Sequence, residues 1–288
     1  MRLPPPSKPK PATVDVLGVR FHTLNRQQAA EAIAQLAAAG RRAYVVKPYS
    51  EFMPPAARDR TIREILNGAD LCLADGVGIL WAAHYLSLPG GPLRAAVQLP
   101  LSLAALVINP SALSHPLPQA MAGVDLTWEM LARLAEKDAT VYLLGGTTWE
   151  NATARRRIEE RLPSLRVVGA HPGHFDTRGP ENDQLVAEID ALRPDALLVA
   201  MGFPRQERWI VENLPRITVG VAVAEGGSLS FISGAVPRAP RWMRRAGLEW
   251  LFRLLRQPWR LRRQLALPAF VWLVVRDRLR RSRPRSTL

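Results

Sequence analysis

The sequence predicts an α/β fold, a mostly parallel sheet with helices on both faces, followed by a basic helical appendage at its C-terminal end. Three observations predict it. Apolar runs of four to six residues alternate with segments of helical periodicity, as strand–loop–helix units of a parallel sheet do. Most of the runs lead into glycine or an acid followed by glycine. The charge is segregated: residues 237–288 hold fifteen arginines, no lysine and two acids, which is +13 of the chain's net +14.

The 288 residues divide on this basis into three parts. Residues 1–12, beginning Met1-Arg2-Leu3-Pro4-Pro5-Pro6, form a proline-rich leader expected to be disordered and lacking the apolar stretch of a signal peptide. Residues 13–236 form the body, and residues 237–288 the appendage. In the body, Ala43 to Val46 is a short apolar strand. Ala57 to Leu66 is a helix with Ile62, Ile65 and Leu66 on one face. Asp70 to Ala74 is a strand ending in Asp75-Gly76, before a helix from Val77. Val124 to Leu134 is helical. Strand 140–144 ends in Gly145-Gly146, and the helix from Glu150 to Leu162 stops at Pro163. Strand 166–169 precedes helix 181–192. Strand 196–200 leads through Gly202 to a helix from Pro204 to Asn213, with proline in the first turn, where a missing N–H costs nothing. Strand 218–223 leads to Glu225-Gly226-Gly227.

One stretch departs from the pattern. Between Leu86 and Pro118 stand six prolines and a long apolar run, Val97 to Ile108. It is read as a long irregular segment, either capping the core or forming a second membrane-facing patch near the site.

The appendage sets arginine beside tryptophan and leucine. Leu248, Leu251, Phe252 and Leu255 share one helical face, with Arg241, Arg244, Arg245, Arg253 and Arg256 supplying charge. This is the composition of an interfacial helix. Leu265 to Val275 follows without charge, but eleven residues fall short of the about 20 needed to span a bilayer. That segment either dips into one leaflet or packs on the body. The basic segment suits an anionic bilayer, a solvated helical face or a nucleic acid. Its apolar content favours the bilayer, and nucleic acid is not expected as a partner. The single cysteine, Cys72, excludes internal disulfides and a cysteine-based metal site. With no spanning run, the chain is expected in the cytoplasm, peripheral on the inner face of the cell membrane.

In an open parallel sheet, ligands bind outside the carboxyl ends of the strands. Those ends carry several glycine loops, which let a backbone approach phosphate and point to a nucleotide or sugar-nucleotide. Neither the dinucleotide fingerprint nor the P-loop pattern is present. Asp75 is the candidate acid or base, unless it merely caps the helix that follows. Gln206 and Glu207 are placed to grip a sugar or base, or Glu207 is simply a favourable acid in a first helical turn. His171 and His174 are too few to define a metal site.

Several of these pieces together resemble the WecG/TagA/CpsF glycosyltransferase family (glycosyltransferase family 26). The resemblance rests on Ala69-Asp70-Leu71-Cys72-Leu73-Ala74-Asp75-Gly76-Val77-Gly78, Gly123-Val124-Asp125-Leu126, Leu143-Leu144-Gly145-Gly146, Gly202-Phe203-Pro204-Arg205-Gln206-Glu207, Gly226-Gly227, and Arg238-Ala239-Pro240 with Leu248-Glu249-Trp250. It implies a Rossmann-like body and a metal-independent, inverting enzyme without a cofactor. Such an enzyme moves a sugar, N-acetylmannosamine or a related hexose, from a UDP-sugar to a polyprenyl-diphosphate-linked acceptor in cell-surface polysaccharide or teichoic acid assembly. The resemblance implies Asp75 as general base, and Gly145, Gly146, Gln206 and Glu207 as donor contacts. Lys47, Tyr49, Gly76, Asp125, Gly226, Gly227 and Arg238 are taken as further substrate-binding positions. The appendage arginines would meet the membrane and close over the diphosphates. Expected partners are the UDP-sugar, the lipid-linked acceptor, an anionic membrane surface and, in an oligomer, a second copy of the chain. Four features depart from the family pattern. Lys47-Pro48-Tyr49 stands where Thr-x-Asn is usual, Ala120 where arginine is, Ser230 where an acid is, and the segment between Gly78 and Gly123 is long. They support a second reading, a catalytically divergent membrane-bound scaffold.

Overall fold

A computed structural model describes residues 11–121, 123–240, 243, 249–256, 261 and 265–281. The leader through Lys10 and the predicted Arg241, Arg244 and Arg245 lie outside the described residues.

The expected parallel sheet is present. Strands β3 (Ala43–Val46), β4 (Leu71–Cys72), β5 (Thr140–Gly145), β6 (Arg166–His171), β7 (Ala196–Ala200) and β8 (Val221–Ala224) are all parallel, in the order β4-β3-β8-β7-β5-β6. Alternation along each strand feeds two cores. In β5, Val141 and Leu143 enter one, while Tyr142 and Leu144 enter the other. Helices cover both faces. One core includes residues of α1 (Arg26–Ala39), α6 (Gly123–Ala135), α7 (Thr148–Arg161) and α10 (Ser228–Ile232). The other includes residues of α2 (Met53–Arg58), α3 (Arg60–Gly68), α4 (Val77–Ser87), α8 (Pro180–Leu192) and α9 (Arg205–Asn213).

Several elements differ from the sequence reading. The region unassigned before Ala43 forms a β-hairpin, β1 (Thr13–Val16) with β2 (Val19–His22), and then α1, capped by a reciprocal Asn25–Gln28 box. The predicted helix 57–66 is divided at Asp59, whose carboxylate caps α3 through the Thr61 and Ile62 N–H groups. Strand β8 begins at Val221, after Thr218 N–H is taken by Asp190. Helix α9 starts one residue later than expected, at Arg205.

The largest correction concerns 86–118. It is not irregular: it forms α5 (Pro92–Ile108) and a 3₁₀ turn at Pro110–Leu113. Pro92 starts the helix, where it costs nothing. Pro100 lies inside it, and the carbonyl at Ala96 loses its helical partner. Both residues face solvent, so water can replace that bond. Two polar contacts hold the helix to α4: Trp81 Nε1–H donates to Ser102 Oγ at 3.0 Å, and Tyr85 O–H to the Ala95 carbonyl at 2.9 Å.

In the appendage, α11 (Glu249–Arg256) includes Leu251, Phe252 and Leu255 of the predicted apolar face. Helix α12 (Ala266–Arg281) contains the predicted charge-free run and packs on the body through buried Phe270, Val274 and Arg278. Phe270 meets Trp81 edge-on at 6.0 Å, and Arg281 bonds Asp15 of β1 at 2.6 Å. Among the described residues, no helix is long and apolar enough to cross a membrane.

Candidate active site

The carboxyl ends of β3, β4, β7 and β8 surround a crevice. A Cβ added at Gly76, Gly202, Gly226 or Gly227 would meet nothing within 4 Å, so the backbone at three strand ends faces open space. Gly76, Gly202 and Gly226 have positive φ (77°, 78° and 58°), which glycine adopts without a Cβ penalty.

Asp75 stands at the edge of this space. Its N–H bonds the Pro48 carbonyl at 3.0 Å, and its backbone bridges Met121. Gly76, not Asp75, is the N-cap residue of α4. The carboxylate turns instead toward the start of α6, where a Cβ on Gly123 would lie 3.4 Å from Asp75 Oδ2. The same hypothetical Cβ would lie 3.9 Å from Ser228 Oγ, so Asp75, the α6 N-terminus and the β8–α10 loop converge. A helix N-terminus favours an ionised carboxylate beside it.

At the floor lies a buried ion pair that the sequence did not reveal. Lys47, after β3, and Glu225, after β8, bring Nζ and Oε1 to 2.8 Å, with side chains 4% and 0% exposed. The contact is off the hydrogen-bond direction, and neither atom makes a hydrogen bond elsewhere among the described residues. Thr127 of α6 donates its hydroxyl to Glu225 Oε2, and Ser228 O–H donates to the Glu225 carbonyl at 2.9 Å. Two opposite charges, each directly after an apolar strand, were the visible signal. Their pairing required knowing that β3 and β8 are neighbours.

Gln206 is a cross-brace. Its Oε1 accepts from Gly202 N–H at 3.1 Å and from Gly226 N–H at 2.9 Å, joining the loops after β7 and β8. Its Nε2 donates to Glu207 Oε1 at 2.8 Å. Glu207 is 2% exposed, and its Oε2 has no hydrogen-bond partner among the described residues. Burial pushes its carboxyl up from the ordinary 4.5 to about 7, against the lowering effect of the Gln206 bond. The folded state therefore binds this proton more tightly than the unfolded chain. That contribution is complete below about 4.5 and is lost as pH rises through about 7. Glu207→Gln is expected to become progressively more stable than wild type as pH rises through this window, by roughly 3 kcal/mol at its upper end. Thermal unfolding as a function of pH checks this, and a pH-independent difference contradicts it.

The remaining candidates are positioned as follows. Tyr49 packs edge-on against Phe52 at 4.6 Å, and Phe52 against Phe203 at 3.7 Å, so an aromatic row links the β3 and β7 ends. Gly145 is held by packing: a Cβ there would strike the Ala200 backbone. Gly146 N–H bonds the Ala200 carbonyl, and its own carbonyl accepts from Gly173. Arg238 and Asp125, two separate predictions, form a two-pronged ion pair that ties the start of the appendage to the first turn of α6. Arg256 stacks over Phe252 at 5.6 Å. Arg253 lies within α11. His171 Nδ1 lies 2.7 Å from the Pro172 carbonyl, and Nε2 lies 3.7 Å from Glu181. Among the described residues, no group of three or more His, Cys, Asp or Glu is arranged to hold a metal ion.

Asn151 was missed. Its buried Nδ2 reaches the carbonyls of Gly145 (2.9 Å) and His171 (3.0 Å), fixing the ends of β5 and β6. A lone asparagine in a polar helix gives no sequence signal of this.

Comparison with known proteins places this site in context. The model of the glycosyl transferase WecG/TagA/CpsF family matches residues 14–109 and 103–284. Similar proteins include N-acetylglucosaminyldiphosphoundecaprenol N-acetyl-beta-D-mannosaminyltransferases of Staphylococcus aureus strains MRSA252, MW2 and NCTC 8325. Each is 28% identical over 267 residues, covering 92% of this chain and 93% of the relative.

Proposed function

Because this chain belongs to the WecG/TagA/CpsF glycosyltransferase family, we propose that it moves an N-acetylmannosamine-type sugar from a UDP-sugar to a polyprenyl-diphosphate-linked acceptor, with inversion. The observation that carries this reading is Asp75, which follows β4 beside the open backbone of Gly76, Gly202, Gly226 and Gly227 with its carboxylate facing the start of α6. The staphylococcal relatives, named for transfer to N-acetylglucosaminyldiphosphoundecaprenol, support the acceptor chemistry.

In this reading the Asp75 carboxylate takes the proton of the acceptor hydroxyl as its oxygen attacks the anomeric carbon. The bond from that carbon to the UDP oxygen breaks on the opposite face, and UDP leaves with the electron pair. Arginines of the appendage offset the charge of the departing diphosphate. The open backbone at Gly202, Gly226 and Gly227 admits the donor, and Gln206 keeps the two loops in register.

The test is a panel of UDP-sugars offered with a short-chain polyprenyl-diphosphate-N-acetylglucosamine, the product being read by mass spectrometry. A disaccharide-lipid made from UDP-N-acetylmannosamine is the expected result. A product from another donor would correct the sugar. No product from any donor, with folded protein, would favour the divergent scaffold, for which the Lys47–Glu225 pair is the supporting observation.

A further inference from the structure

We infer that α5 and the outer stripe of α12 together form a bilayer-docking face, with the end of α5 and the start of α12 bordering the Asp75 crevice. The α5 stripe is Leu93, Val97, Leu101 and Ile108, which are 87%, 64%, 66% and 81% exposed. Their spacing places them along one side of the helix. From Ala95 to Val124 the chain has no Asp, Glu, Lys or Arg, so nothing formally charged interrupts the stripe. On α12 the exposed large apolar residues are Leu265, Trp272 and Leu279, seven residues apart. A soluble surface seldom leaves so much contiguous apolar side chain uncovered.

The two helices share α4 as their floor, and the contacts fix their directions. Tyr85 bonds Ala95 while Trp81 bonds Ser102, so α5 runs back along α4 toward the crevice. Phe270 packs on Trp81 and lies 3.8 Å from the position of a Cβ on Gly78, whereas Arg278 bonds the Gly90 carbonyl at 3.3 Å. Helix α12 therefore runs parallel to α4 and antiparallel to α5. Leu101, Ile108, Leu265 and Trp272 lie toward the Gly78 end, three residues from Asp75. The exposed Arg94 and Arg280 lie toward the Gly90 end beside Leu93 and Leu279, and Arg276 sits over the Trp272 ring at 5.1 Å. Beyond α5 the chain returns to the crevice through Met121, which bridges Asp75.

Apolar stripes with arginines set beside them match acyl chains beside anionic headgroups. A second copy of the chain is a poorer occupant, because it would bring the same arginines against these. Docked in this way, the crevice opens at the membrane surface.

The test uses the full chain and Val97→Gln/Leu101→Gln, which alters no charge and replaces two outward side chains. Binding is measured by co-sedimentation with phosphatidylcholine vesicles containing phosphatidylglycerol, at low and high salt. The expected loss is on the order of tenfold and persists at high salt, where arginine contacts are screened, with an unchanged Tm. Wild-type binding by the folded variant overturns the inference. So does loss of self-association by sedimentation velocity without loss of vesicle binding, which would assign the face to a second copy. Should the double variant unfold, quenching of tryptophan fluorescence by brominated acyl chains in wild type is compared with Trp272→Phe. Quenching that diminishes in the variant supports docking, and none in wild type overturns it. Both readouts report binding alone, so they stand apart from the transferase reading.

Discussion

Asp75→Asn is expected to lower kcat by about 10²–10⁴-fold, the range a positioned general base contributes, with no loss of stability. The substitution keeps the shape of the side chain and removes its ability to take a proton. Gly76, not Asp75, is the N-cap residue of α4. The Pro48 and Met121 contacts are made by the Asp75 backbone and survive. Steady-state rates beside thermal unfolding check this. A variant with wild-type kcat would remove Asp75 from the chemistry. A variant that lost activity and Tm together would make Asp75 a structural residue.

The second large effect is expected at the floor of the crevice. Removing one partner of a buried ion pair leaves an uncompensated charge, at a cost of about 3–5 kcal/mol, whereas replacing both with apolar groups of similar volume is often neutral or better. Lys47→Met alone and Glu225→Leu alone are therefore each expected to be strongly destabilising, and Lys47→Met/Glu225→Leu to recover most of the loss. Thr127 keeps a partner throughout, because its hydroxyl also reaches the Gly123 carbonyl at 2.9 Å. Urea denaturation of the three variants measures the coupling. Losses that simply add in the double variant would mean that the 2.8 Å contact carries no coupling.

The sheet was legible because strands β3, β4, β7 and β8 are unbroken apolar runs and β5 is one after Thr140, as strands buried on both faces must be. The hairpin was not, since Thr13–His22 mixes polar and apolar residues and is ordered by pairing with itself and by Arg20–Asn67 contacts from α3. Helix α5 was hidden by its prolines, whose cost depends on where Pro100 faces, and sequence alone does not say. The site divided in the same way. Asp75 and Glu207 could be found from their places at strand ends and in a first helical turn. The Lys47–Glu225 and Arg238–Asp125 pairs join residues far apart in the chain, so only the packed sheet and α6 bring them together. Gln206 was predicted to grip a ligand, but among the described residues it bonds Gly202, Gly226 and Glu207, a bracing geometry invisible without the loops.

The most direct test of the central claim is UDP release by the purified chain with UDP-N-acetylmannosamine, with and without a short-chain polyprenyl-diphosphate-N-acetylglucosamine, beside Asp75→Asn. Acceptor-dependent release in wild type that falls by two or more orders of magnitude in the variant is the predicted result. Release that is equal in the two proteins, or absent from a folded wild type that still binds vesicles, would contradict the assignment of this crevice as a glycosyl-transfer site with Asp75 as its base.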